Sequence, residues 1–109
     1  MEKDVFRSLY EVVQQRKVEP QEGSYTSYLF EKGIDKILKK IGEESAETII
    51  AAKGTNKVLL RDEICDLLYH IIVMMVECEM PLEAITDELA RRSKKIGNFK
   101  NMKEIDKNT

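Results

Sequence analysis

The segment from about Asn56 to Glu79 constrains this chain more than any other. Its spacing predicts one continuous helix, and from Ile64 to Val76 it is apolar almost all the way round. A helix of that kind has no face to give to water and must be enclosed by other elements. Yet Glu63, Asp66 and His70 stack on it at spacings of three and four, which places them on one side. Ionised carboxylates in apolar surroundings cost on the order of several kcal/mol each unless a cation or full hydrogen bonding compensates. The expectation is that Glu63 and Asp66 are held away from bulk water and face a compensating charge.

The rest of the chain supplies helices to do the enclosing. Val5, Phe6, Leu9, Val12 and Val13 recur at helical spacing and predict a first helix from Asp4 to about Arg16. Pro20 and Gly23 mark a loop, after which Ser24 is placed to cap a short helical turn through Tyr25, Tyr28 and Leu29 that Gly33 breaks. From Ile34 to Lys53 the residues Ile34, Leu38, Ile41, Ser45, Ile49 and Ala52 fall in one sector, predicting a long helix with a defined core face. Gly54 ends it in the C′ position. Pro81 starts a further helix carrying Leu82, Ile85 and Leu89, with Arg91 and Arg92 toward its C-terminal end. The tail from Ser93, with scattered Ile96, Phe99, Met102 and Ile105, predicts loose structure or a weak terminal helix. Only 5 Gly and 2 Pro among 109 residues, 42% of them hydrophobic and 35% charged, suit an all-α bundle of four to five helices. One domain over 1–109 is expected, with its core at about 4–92 and a tail at 93–109.

Composition also narrows the partners. A net charge of -2 gives no overall basic field for nucleic acid, so none is expected as a partner. The apolar run Ile71 to Val76 is too short to span a bilayer and the N-terminus lacks a continuous apolar segment, so a cytoplasmic protein with no membrane partner is expected. Cys65 and Cys78 match neither a zinc pattern nor a disulfide framework and are read as buried free thiols.

Glu43, Glu44 and Glu47 crowd one face of the Ile34–Lys53 helix beside its core sector. Alone they could be a solvated surface, neutralised by Lys39 against Glu43 and Lys40 against Glu44, though such pairs contribute only about 0.2–0.5 kcal/mol each. Together with Glu63 and Asp66 they form a different object. Two helices each offering carboxylates three apart can converge on metal across a bundle, and an all-oxygen ligand set selects a hard cation, Mg²⁺ first and Mn²⁺ as its substitute. The single His excludes a carboxylate-bridged di-iron bundle, and no EF-hand or glycine-rich phosphate loop is present. A helical dimerisation or binding module, its acidic face set against a partner's lysines, stays open at this point.

The two acidic groups, Glu43-Glu44-Ser45-Ala46-Glu47 and Glu63-Ile64-Cys65-Asp66, have the form E-E-x-x-E followed by E-x-x-D. With the segments LYEVVQQRK, PQEGSYTSYLFEKGIDKILKKIGEESAETIIAAK and DEICDLLYHIIVMM, the chain resembles the phosphoribosyl-ATP pyrophosphohydrolases of histidine biosynthesis, within the all-α MazG-like nucleotide pyrophosphatases. The likeness covers about Leu9 to Arg92. It implies hydrolysis of phosphoribosyl-ATP to phosphoribosyl-AMP and pyrophosphate, with Mg²⁺ on Glu44, Glu47, Glu63 and Asp66 and with Glu43 as an extra ligand or a support to them. It also implies a homodimer, which agrees with a helix too apolar for one small chain to cover. Many relatives carry a cyclohydrolase domain, for which 109 residues leave no room.

A cation there would neutralise the polyphosphate and make water a better nucleophile, while a spare carboxylate, Glu47 or Glu43, could take its proton. Lys36, Lys39, Lys40, Lys53 and Arg16 are candidate phosphate partners, each set against an ordinary surface role. Ser24, Tyr25 and Thr26 could meet the ribose phosphate or adenine, or could cap a helix. His70 is a candidate contact for substrate or metal, set against a buried hydrogen-bonding role. Physics alone does not separate phosphoribosyl-ATP from another nucleoside triphosphate.

Overall fold

The computed structural model describes residues 4–97 and contains five helices in the order α1 (Val5–Val18), α2 (Tyr25–Lys32), α3 (Ile34–Lys53), α4 (Lys57–Glu77) and α5 (Leu82–Ile96). Among the described residues there is no strand, and no helix is long and apolar enough to cross a membrane. The all-α reading therefore holds. Phe99, Met102, Ile105 and most of the 93–109 tail lie outside the described residues; α5 itself continues to Ile96.

The caps follow from side-chain chemistry. Asp4 accepts from the Phe6 and Arg7 amides, Ser24 from Ser27, and Asn56 from Leu59, each satisfying amides that a helix start leaves without partners. Gly33 sits at φ 91, a conformation costly for other residues, and there the chain turns from α2 straight into α3. Gly54 does end α3, but in extended conformation at φ -87 and not in the left-handed form the usual glycine stop takes.

A short connection returns α4 along α3, so the two pack as an antiparallel hairpin that forms the spine. The core lies where α1, α2, the first half of α3 and the second half of α4 meet: Tyr10, Val13, Leu29, Ile37, Val73 and Val76 are buried there, and Leu82 pins the start of α5. Tyr10 donates its hydroxyl to the Met80 carbonyl at 2.8 Å, tying α1 to the α4–α5 turn.

Three expectations are corrected. The buried stripe of α3 is Ile37, Ile41, Glu44, Thr48 and Ala51, one position around from the sector read in the sequence; Leu38, Ile49 and Ala52 are exposed. The stripe rotated because it includes a carboxylate and a threonine, which a hydrophobic pattern passes over. Second, α4 is not enclosed on every side within one chain. Its C-terminal half is buried, but Ile64 is 41% exposed and Leu68 is exposed as well. Third, Cys65 and Cys78 are exposed, Cys65 because it lies on this uncovered half and Cys78 because it ends the helix.

Candidate metal centre

The α3–α4 hairpin carries Glu43, Glu44 and Glu47 on one arm and Glu63 and Asp66 on the other. Antiparallel packing brings the two sets level. Glu44, Glu63 and Asp66 each offer a carboxylate oxygen, and these oxygens lie within 4.8 Å of one another. Thr48 fastens the arms at this level, its one hydroxyl proton shared between the Glu44 carbonyl at 2.7 Å and the Glu63 carbonyl at 3.3 Å.

Burial is distributed differently from the sequence expectation. Asp66 is exposed and Glu63 half-buried, whereas Glu44, only 7% exposed, is the enclosed acid. The apolar run around Asp66 faces the uncovered side of α4, so the surroundings read in the sequence do not shield that residue within one chain. Glu44 Oε2 and Glu63 Oε2 are both buried with no hydrogen-bond partner. Buried carboxylate oxygens are normally satisfied, so two such oxygens in one cluster call for a cation. The donor set, all carboxylate oxygen, fits Mg²⁺ or Mn²⁺.

Glu47 reaches both arms. Its hydrogen bond with Glu63, followed by burial and by the charges of Glu47, Glu44 and Asp66, pushes the Glu63 carboxyl up to about 7. Glu44 is raised by burial, then by Glu47 and Asp66, with Lys40 acting the other way. Lys40 is the neighbouring cation, 3.3 Å from Glu43 and 3.7 Å from Glu44. Burial would lower its ammonium, but the hydrogen bond to Glu43 and the nearby carboxylates raise it. One ammonium does not balance five carboxylates. Of the two sequence-spaced pairs, Lys40 with Glu44 forms, and Lys40 takes Glu43 as well.

The candidate substrate residues divide by place. Tyr25 and Thr26 on α2 reach α4: the Tyr25 hydroxyl lies 3.0 Å from His70 Nε2, and the Thr26 hydroxyl is hydrogen-bonded to that of Tyr69. His70 is 4% exposed, and its Nδ1 lies 2.7 Å from the Asp66 carbonyl. Both of its ring nitrogens are thus engaged. Tyr25 also stacks on Tyr28, whose ring has Lys36 Nζ 5.9 Å from its centre. Ser24 is occupied as the cap of α2. Arg16 gives its backbone carbonyl to the Ser27 hydroxyl. Lys39 and Lys53 are exposed on α3. A hollow of about 930 Å³ is lined by Ser24, Tyr25, Tyr28 and Phe30.

Sequence reasoning overlooked Thr48, the Tyr28 ring stacked on Tyr25, and Tyr69. Thr48 had a detectable signal, falling four after Glu44 on the same stripe. Tyr69 had none beyond standing next to His70.

A helical hairpin joining E-E-x-x-E to E-x-x-D around orphaned carboxylates defines a class of all-α proteins with an acidic metal-type centre. Comparison with known proteins narrows this. Residues 6–93 match the family described as phosphoribosyl-ATP pyrophosphohydrolase. A protein of Clostridium novyi (strain NT) named phosphoribosyl-ATP pyrophosphatase is 59% identical over 97 residues, covering 89% of this chain and 88% of its own. One of Clostridium botulinum (strain Kyoto / Type A2) with the same name is 57% identical over 98 residues, 90% and 89% of the two chains. One of Listeria innocua serovar 6a, also so named, is 54% identical over 97 residues, 89% and 93%. The chain belongs to the phosphoribosyl-ATP pyrophosphohydrolase family.

Proposed function

We propose that this chain hydrolyses phosphoribosyl-ATP to phosphoribosyl-AMP and pyrophosphate, the step of histidine biosynthesis for which its relatives are named, and does so in the cytoplasm. The observation that carries the metal-dependent form of this reading is the pair of unpartnered buried oxygens on Glu44 and Glu63, converging with Asp66. Glu44, Glu63 and Asp66, whose oxygens converge, would hold Mg²⁺, with Mn²⁺ as substitute. Bound there, the cation supplies charge neutralisation for the triphosphate and a lowered pKa for water.

In the net reaction water adds across the anhydride between the α- and β-phosphates, its oxygen going to one phosphorus and its protons to solvent. Glu47, one helical turn from Glu44 and outside the converging trio, would receive the first proton, its charge acting on both Glu44 and Glu63. Glu43 supports the site through Lys40, which it holds beside Glu44. Lys36 and Lys40, near the aromatic group, are the lysines best placed for phosphate.

A second copy of the chain would cover the uncovered side of the hairpin. Ile49, 65% exposed, Ile64 and Leu68 are apolar residues of the hairpin left open to solvent. A homodimer covers them. Pyrophosphate release from phosphoribosyl-ATP and from ordinary nucleoside triphosphates, with and without Mg²⁺, on the wild type and Glu47→Ala, tests the reading. Expected is Mg²⁺-dependent release from phosphoribosyl-ATP that Glu47→Ala lowers at least 100-fold, the scale of a lost general base. Release without metal, or none from any substrate, contradicts it.

A further inference from the structure

Two consecutive residues of α2 hydrogen-bond two consecutive residues of α4: Tyr25 with His70, and Thr26 with Tyr69. His70 Nδ1 faces the Asp66 backbone carbonyl, which only accepts, so the proton on that nitrogen is assigned: Nδ1–H donates. In the neutral ring Nε2 then carries only a lone pair, and at 3.0 Å it must accept from the Tyr25 hydroxyl. The direction of the chain is therefore set from one end, with Tyr25 donating to His70 and His70 to Asp66. A phenol whose one proton is committed in this way offers everything else only its lone pairs.

Through His70 the phenol is joined to the backbone of Asp66, a member of the acidic centre. Tyr25 is close enough to Lys40, Glu44 and Glu43 for their charges to act on its phenol, and burial, the largest effect, raises its pKa so that it keeps its proton. A nucleotide's phosphates have no donors at neutral pH. Next to its α-phosphate, however, stands a ribose, whose hydroxyls donate.

We infer that His70 is a positioning residue, locking the Tyr25 hydroxyl as an acceptor for a ribose hydroxyl of the nucleotide. This rests on the pyrophosphohydrolase reading above. His70 touches neither metal nor substrate; it acts through Tyr25, and the same contact docks α2 against α4 over Asp66.

The test uses untagged full-length protein, in which His70 is the sole histidine. Long-range ¹H–¹⁵N NMR of its imidazole should show the proton on Nδ1; a proton on Nε2 overturns the inference. In steady-state pyrophosphate release from phosphoribosyl-ATP with Mg²⁺, Tyr25→Phe and His70→Asn should each raise KM about tenfold with kcat within about threefold, the size of one neutral hydrogen bond. Asn can still reach the Asp66 carbonyl but not Tyr25, whereas Gln can accept from Tyr25, so His70→Gln should recover most of the loss. The double variant Tyr25→Phe/His70→Asn should be no worse than about threefold beyond either single, because both remove one contact.

Wild-type KM in a folded His70→Asn, or multiplied effects of about 100-fold in the double variant, overturns the inference while leaving the functional reading intact. An inactive wild type defeats the functional reading, and this one with it. If His70→Asn does not melt cooperatively, the NMR tautomer and the Tyr25→Phe and His70→Gln kinetics decide.

Discussion

Thr48 shares its one hydroxyl proton between the backbone carbonyl of Glu63 at 3.3 Å and the Glu44 carbonyl at 2.7 Å, so one side chain joins the two arms that carry the acids. Both carbonyls lie inside helices, and losing the hydroxyl removes about one neutral hydrogen bond, roughly 1 kcal/mol. Thr48→Val should destabilise the metal-free protein by that amount, lowering its melting temperature by about 4–8 °C, and should lower it by more with saturating Mg²⁺, because the arms then close less well on the cation. Equal losses in both conditions would show that Thr48 does not help align the acids.

Glu44 is the most enclosed carboxylate among the described residues, and burial, then Glu47 and Asp66, raise its pKa. Glu44→Gln relieves the repulsion from these two and supplies an amide that can donate to its acidic neighbours. The metal-free variant should be more stable than wild type by about 1 kcal/mol, yet Mg²⁺ should no longer raise its melting temperature. A variant less stable than wild type without metal, and still stabilised by Mg²⁺, would count against the cluster as a metal centre.

The Glu63 carboxyl sits at about 7 in the folded chain against 4.5 ordinarily, held up first by its hydrogen bond with Glu47. Between these values the folded state binds more protons than the unfolded one, so stability present below pH 4.5 is lost as pH rises through 7. The metal-free melting temperature should fall from pH 5 to pH 7.5. Glu88, lowered to about 2 by hydrogen bonds from Arg91 and then Arg92, loses its contribution only as pH falls below 4.5 and stays out of this window. Mg²⁺ favours the ionised carboxylates, so saturating metal should flatten the slope or reverse it. A metal-free melt that rises steadily over the same range would contradict the Glu47–Glu63 contact.

At the end of α4 the Met80 amide donates to the Met75 carbonyl at 2.8 Å and the Glu79 amide to that of Val76 at 3.1 Å. These bonds close the helix in the pattern that normally takes glycine, but here Glu79 holds the left-handed position at φ 57. Glu79→Gly should stabilise the protein by about 0.5–1 kcal/mol in urea unfolding, the relieved strain exceeding the added freedom of the unfolded chain. A destabilised variant would place a contact of the Glu79 side chain above the backbone strain.

Much of this was readable in the sequence because the signals are local. The start of α4 near Asn56, Ser24 capping α2 and Gly33 separating α2 from α3 each depend on one residue and its near neighbours. The meeting of Glu44 with Glu63 and Asp66 was readable too, since two motifs near a tight helical connection can only face each other. Which acid is buried was not. Glu44 stands in the core stripe of α3, where a hydrophobic pattern registers a gap, and so the stripe was placed one residue away on Leu38 and Ile49. The exposure of Cys65 and Asp66 also escaped, because an apolar helix shows that something covers it and not whether the cover lies in the same chain. The Tyr25–His70 contact joins positions 45 apart and has no local signature.

The proposed function requires carboxylates from both arms of the hairpin to hold one divalent-metal centre. Its most direct test is Mn²⁺ binding, followed by electron paramagnetic resonance of the free ion, in wild type and in Glu44→Gln, Glu63→Gln and Asp66→Asn. The expected result is a wild-type site that every one of the three substitutions weakens at least tenfold, α3 and α4 variants alike. Unchanged Mn²⁺ affinity in all three, or loss confined to one helix, would contradict it.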